Sequence, residues 1–171
     1  GIDPDKDVTL NWKPEPAEIV AIMAQSPNTI AMLPQPYVTV AQNQLEDLRI
    51  ALDLTKAWDE LENDSTLITG VLVVRSEFAD TYPEQLAAFL DEYKASTEYV
   101  NANIPESAQL IDKFGIVKAD VAEKAIPYCN ITYLDGAEMK AAMEGYLGVL
   151  FEQNPKSVGG ALPEADFYYA R

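Results

Sequence analysis

The sequence predicts an α/β fold, a parallel sheet with flanking helices, and three observations carry that reading. Residues 8–33 read as strand, helix, strand, and about 26 residues is close to the length of a minimal βαβ unit, which forces a parallel pair. Thr66–Val74 (TLITGVLVV) is almost continuously apolar and rich in β-branched residues, the pattern of a strand buried on both faces. Beyond residue 80 the apolar positions change to helical spacing.

Along the chain, Val8, Leu10 and Trp12 alternate with Thr9 and Asn11, as in a half-buried strand ending at Pro14. Pro16–Gln25 predicts a helix, with Pro16 in its first turn and Glu18 near the positive end of the helix dipole. Ser26, Pro27 and Asn28 break it. Thr29–Leu33 is the second strand, Pro34-Gln35-Pro36 a rigid corner, and Val38–Leu45 a short helix. Leu48–Leu54 fits either a buried strand or a helical turn and is read as a strand. Residues 56–65 read as a surface helix turn and an acidic linker, and Thr66–Val74 follows, with Gly70 marking a bend or a close backbone approach.

Pro83 opens a helix reaching about Asn101, with Leu86, Phe89, Leu90, Tyr93, Thr97 and Val100 on one face. A second runs from about Pro105 to Phe114 and stops at Gly115. A third, Asp120–Ala125, is capped by Asp120 and ended by Pro127. The last long helix starts near Asp135, buries Met139, Met143, Tyr146, Leu147, Leu150 and Phe151 as core filling, and ends at Asn154-Pro155. The aromatic tail Phe167, Tyr168 and Tyr169 is expected to dock onto the body. Two regions result, 1–65 and 66–171.

Composition narrows the function. The chain has 12 basic and 28 acidic residues, a net charge of −16, and no Lys/Arg cluster, which argues against nucleic acid and against an anionic membrane surface. No apolar run is long enough to span a bilayer, and the first residues do not read as a signal peptide. The sequence contains no histidine, which removes Ser-His and Cys-His catalysis and the commonest transition-metal ligand. Cys129, alone in an apolar setting, reads as a structural thiol.

Carboxylate pairs such as Asp59 with Glu62 lack the glycine-centred calcium loop, and no phosphate-binding glycine loop is present. Glu15 and Glu18 are ordinary for a helix N-terminus. Ser65, Ser76 and Ser107 have no histidine to activate them. No catalytic residue, metal ligand or cofactor is therefore assigned. Gln35, Tyr37 and Thr39 stand out as ligand-binding candidates: a strand running into a proline corner puts them at the carboxyl edge of a sheet, where open α/β folds bind ligands. Thr66 and Thr69 could offer hydroxyls to the same cleft. Trp12 and Trp58 read as core residues in preference to ligand-stacking ones.

The ordered segments GIDPDKDVTLNW, EPAEIVAIMA, IAMLPQPYVTVA, LDLTKAWDEL, TGVLVVRSEFA, FLDEYKASTEYVN and NPKSVGGALPEADFYY resemble the ABC-transporter solute-binding proteins of the nitrate, sulfonate, taurine and thiamine-precursor group. The resemblance runs over nearly all of the chain and lies in the order of the segments, with no single diagnostic motif. It implies a type II periplasmic-binding-protein fold with 1–65 as part of the second ligand-binding lobe and 66–171 as the return strand and C-terminal helices of the first. It also implies extracytoplasmic capture of a small polar ligand for a membrane permease, with Gln35, Tyr37 and Thr39 on the cleft-facing loop and Thr69 and Gly70 on the return crossing.

The chain is about half the family's usual length, and Gly1-Ile2-Asp3-Pro4 reads as an interior turn, so the resemblance implies a fragment whose open strand edges favour self-association. With only Arg49, Arg75 and Arg171 as arginines, the ligand is expected to be neutral or to have its charge met elsewhere. The competing readings are an enzyme of pyrimidine or thiamine-precursor type on the same fold, and a non-transport sensor or interaction module.

Overall fold

The computed structural model describes residues 3, 6–26 and 28–169, and among them it is built from helices with no strand. The α/β parallel-sheet expectation is overturned. Val8–Trp12, Thr29–Leu33, Leu48–Asp53 and Thr66–Val74 are all irregular, and Leu54 belongs to a helix. The physical reason is that a strand needs a neighbour to take its backbone hydrogen bonds. Among the described residues, none of the backbone hydrogen bonds outside the helices involves residues 8–14, 30–33, 49–52 or 66–74. Burial fails with pairing: Ile30 is 96% exposed, Trp12 80% and Val73 77%. Of the expected turn Gly1–Pro4, only Asp3 lies within the described residues, and Pro27 lies outside them.

Most helices follow the sequence, except that the one at Leu54–Asp59 starts within the expected 48–54 strand and the one at Ser76–Thr81 was not expected. The helices are α1 (Pro16–Gln25), α2 (Tyr37–Gln44), α3 (Leu54–Asp59), α4 (Ser76–Thr81), α5 (Pro83–Ala102), α6 (Ile104–Lys113), α7 (Ala119–Ala125) and α8 (Gly136–Gln153), with short 3-10 turns at Ile126–Tyr128, Pro155–Val158 and Ala165–Phe167. The chain divides into two compact units, residues 1–49 with 99–131 and residues 50–98 with 132–171.

The first unit centres on α6 and α7. Ala108 (0% exposed), Ala122 (2%) and Ile126 (4%) form its core, surrounded by Val100, Ile104, Ile111, Val117, Ala119 and Ile131. Small residues at 108 and 122 let the two helices approach closely, and Ile126 fills the remaining space, a burial worth about 1.5–3 kcal/mol. α6 ends as expected at Gly115: its φ of 71° is the left-handed conformation glycine adopts without strain, and Gly115 N–H donates to Asp112 O while Ile116 N–H donates to Ile111 O, a Schellman stop.

The start of α7 differs from expectation. Asp120 does not cap it; the Asp112 carboxylate of α6 accepts from Ala119 N–H at 3.1 Å and from Lys118 Nζ at 3.3 Å. The cap thus ties two helices together. Those two hydrogen bonds hold the Asp112 carboxyl below the usual carboxylate range, the backbone one contributing most.

The second unit is joined by polar and aromatic contacts. Asp53 caps α3, accepting from Thr55 N–H and Lys56 N–H. Trp58 Nε1 donates to Ser65 Oγ at 2.9 Å, Ser65 Oγ donates to Asn63 Oδ1, and the Trp58 ring meets Tyr146 of α8 at 5.4 Å. Gly145 lets α8 close on this corner, since a Cβ there would stand 3.3 Å from Ser65 Cβ. The expected stripe of α8 is only half-buried throughout. The tail docks through Tyr168, which is buried with Lys140 Nζ 5.6 Å from its ring centre; burial first, and Glu144 second, push its hydroxyl pKa up.

Candidate functional site

Three sequence candidates meet at the start of α2. Pro34-Gln35-Pro36 forms the turn into the helix, and Val38 N–H and Val40 N–H donate to Pro34 O and Pro36 O. The Gln35 side-chain oxygen accepts twice from Thr39, from its hydroxyl at 2.9 Å and its backbone N–H at 3.3 Å. Thr39 is buried, so this bond satisfies a hydroxyl that would otherwise be stranded. Gln35 acts as a local cap for α2, and Thr39 Oγ1 spends its proton on it.

Tyr37 is half-buried. It lines a groove of about 220 Å³ between α1 and α2 with Ala17, Val20, Ala21, Val40 and Gln44. Positions 17, 20 and 21 share one face of α1, and 37, 40 and 44 share one face of α2, by helical spacing. The lining carries no charged residue. Its hydrogen-bonding side chains, the Tyr37 hydroxyl and the Gln44 amide, have no hydrogen-bond partner among the described residues. Gln44 and the α1 face were not singled out from the sequence, although helical spacing puts 17, 20 and 21 on one face and 37, 40 and 44 on another.

Thr69 and Gly70 lie in the other unit, both exposed in the irregular 66–74 segment. A Cβ on Gly70 would meet nothing within 4 Å, so no close backbone approach exists there among the described residues. Near them a second groove of about 280 Å³ is lined by Leu72, Val73, Val74, Phe78, Gln85, Leu86 and Phe89. It is nearly all apolar.

No described residues form a cluster of three or more acidic or cysteine side chains able to hold a metal ion. The Cys129 thiol is half-buried, donates to Ala125 O at 3.3 Å, and is pushed up in pKa by burial, the setting of an unreactive thiol. Ser107, buried on α6, has a hydroxyl without a partner among the described residues. Among those residues no helix is long and apolar enough to cross a membrane. No family model, curated protein or solved structure matches the chain.

Proposed function

We propose that the chain captures a small uncharged solute without transforming it, as the extracytoplasmic solute-binding component of an ABC importer that hands its ligand to a membrane permease. The observation that carries the capture reading is the α1/α2 groove: an apolar floor, two hydrogen-bonding side chains and no charged lining residue. Such a surface suits a compact molecule with an apolar body and one or two polar groups. Its volume lies below the roughly 300–1,000 Å³ typical of drug-sized ligand sites, so the ligand is small. The Gln35–Thr39 bonds fix the turn that sets Tyr37 on the groove, which reduces the ordering cost of binding. The importer role rests on the order of the resembling segments. A sequence without histidine favours capture over acid–base chemistry.

Native mass spectrometry and calorimetry against a panel of small neutral metabolites test this. The expected result is an intact, reversibly bound molecule whose affinity falls by about 0.5–1.5 kcal/mol in Tyr37→Phe, the net worth of one hydrogen bond. Val40→Trp, which fills the groove, should abolish binding while leaving the helical circular dichroism unchanged. Conversion of the bound molecule would overturn the capture reading, as would the absence of binding across the panel.

A further inference from the structure

The α1/α2 groove has a length as well as a volume. Its two hydrogen-bonding side chains, Tyr37 and Gln44, stand seven residues apart on α2, almost two full turns, so they share a face and are separated by about 10.5 Å along the helix axis. Between them Val40 offers only apolar atoms, as do Ala17, Val20 and Ala21 of α1. Val20 is buried and closes the floor, while the two alanines, one turn apart on α1, are too short to divide the trough. Neither the Tyr37 hydroxyl nor the Gln44 amide has a hydrogen-bond partner among the described residues. Each end of α2 is held separately. The Gln35 side-chain oxygen ties down the first turn through Thr39, and at the last turn Lys124 Nζ of α7 donates to Asn43 Oδ1, next to Gln44, at 3.1 Å. The spacing of the two polar groups is thus set before a ligand arrives, and a molecule that matches it gives up less freedom than one that must draw the groups together.

We infer that the groove selects small uncharged molecules that carry a hydrogen-bonding group at each end of an apolar middle, one end on the Tyr37 hydroxyl and the other on the Gln44 amide. The inference rests on the capture reading and adds a length rule to it. Tyr37 and Gln44 can each donate or accept, so an alcohol, ketone or amide end suits either. A charged end would lie on a lining with no counter-charge. Two limits bound the separation of the end groups. A molecule lying in line between the two side chains must leave room for a hydrogen bond of about 2.8 Å at each end, and one lying beside them spans the full rise. The end groups therefore stand about 5–10 Å apart.

Titration with the linear α,ω-diols from ethanediol to decanediol, and with the matching single-ended alcohols, followed by amide chemical shifts, tests the rule. The shifts should localise to residues 17–21 and 37–44. The advantage of a diol over the alcohol of equal chain length should peak between butanediol and heptanediol, at roughly three- to tenfold in affinity, the worth of one net hydrogen bond. Gln44→Leu and Tyr37→Phe should each erase that advantage while the alcohol still binds. Gln44 is exposed, so its replacement does not threaten the fold. Diols and alcohols that bind the groove equally, or a diol advantage indifferent to chain length or to both substitutions, would overturn the length rule and leave capture standing. No shift at those residues with any member of either series would overturn capture itself, and the length rule with it.

Discussion

The α6–α7 hairpin and the Thr66–Val74 run make similar demands for burial in the sequence and meet opposite fates in the structure. The hairpin hides Ala108, Ala122 and Ile126 almost completely, and its backbone hydrogen bonds are closed within each helix, by the Gly115 stop and by the Asp112 cap. The run is more apolar, yet it leaves four consecutive large residues exposed. The difference lies in where the hydrogen-bond partners are. A helix finds them four residues away along its own chain, while a strand must borrow them from another segment. Apolar content sets how strongly a segment seeks cover and says nothing about whether the partner is present.

Four changes break or sharpen that comparison. Ile126→Ala has the largest expected effect, a loss of about 2–5 kcal/mol in denaturant unfolding, because it empties a packed site between two helices. Gln35→Ala comes next, at about 1–3 kcal/mol, since it leaves the buried Thr39 hydroxyl without its acceptor. The same variant should weaken solute binding indirectly, by releasing the turn that holds Tyr37. Trp58→Phe removes the indole donor to Ser65 while keeping the ring against Tyr146, and should cost about 1 kcal/mol. At the other extreme, Val73→Ala should stay within about 0.5 kcal/mol of wild type, because its side chain is already in solvent.

The Asp112 cap gives the comparison a pH handle. Its folded carboxyl titrates below the ordinary value, so its stabilising contribution is complete above the unfolded pKa of about 3.9 and is lost as pH falls through the lower folded value. Wild type should therefore exceed Asp112→Asn in thermal stability at neutral pH, and the gap should close in acid below that range. A gap that persists to the lowest pH at which the protein folds would remove the ionised cap from the account.

The legibility of the fold follows the same division. α1 matches Pro16–Gln25 as read, α8 begins after Asp135 and ends before Asn154, and Gly115 stops α6, because proline, glycine and helical spacing act within a turn or two of chain. Asp120 looked like the cap of α7 because it is acidic and precedes an apolar stretch; Asp112 does that work from another helix, and no local pattern reveals it. The expected strand at 8–12 rests on alternation, that at 66–74 on β-branching, and those at 29–33 and 48–54 on short apolar runs, all of which report a preference for a pleated surface and not the presence of one.

The sequence places Gln35, Tyr37 and Thr39 at the carboxyl edge of a sheet that does not form; Tyr37 instead lines the groove between α1 and α2, and Gln35 and Thr39 turn toward each other at the start of α2. Gln44 and Val20 escaped notice because their role depends on α1 packing against α2.

Amide hydrogen exchange followed by peptide mass spectrometry tests the central claim most directly. Residues 104–113 and 119–125 should be protected, and residues 66–74 should exchange fast. Strong protection of 66–74 would contradict the account, since it would mean that the run already has its partner within the chain.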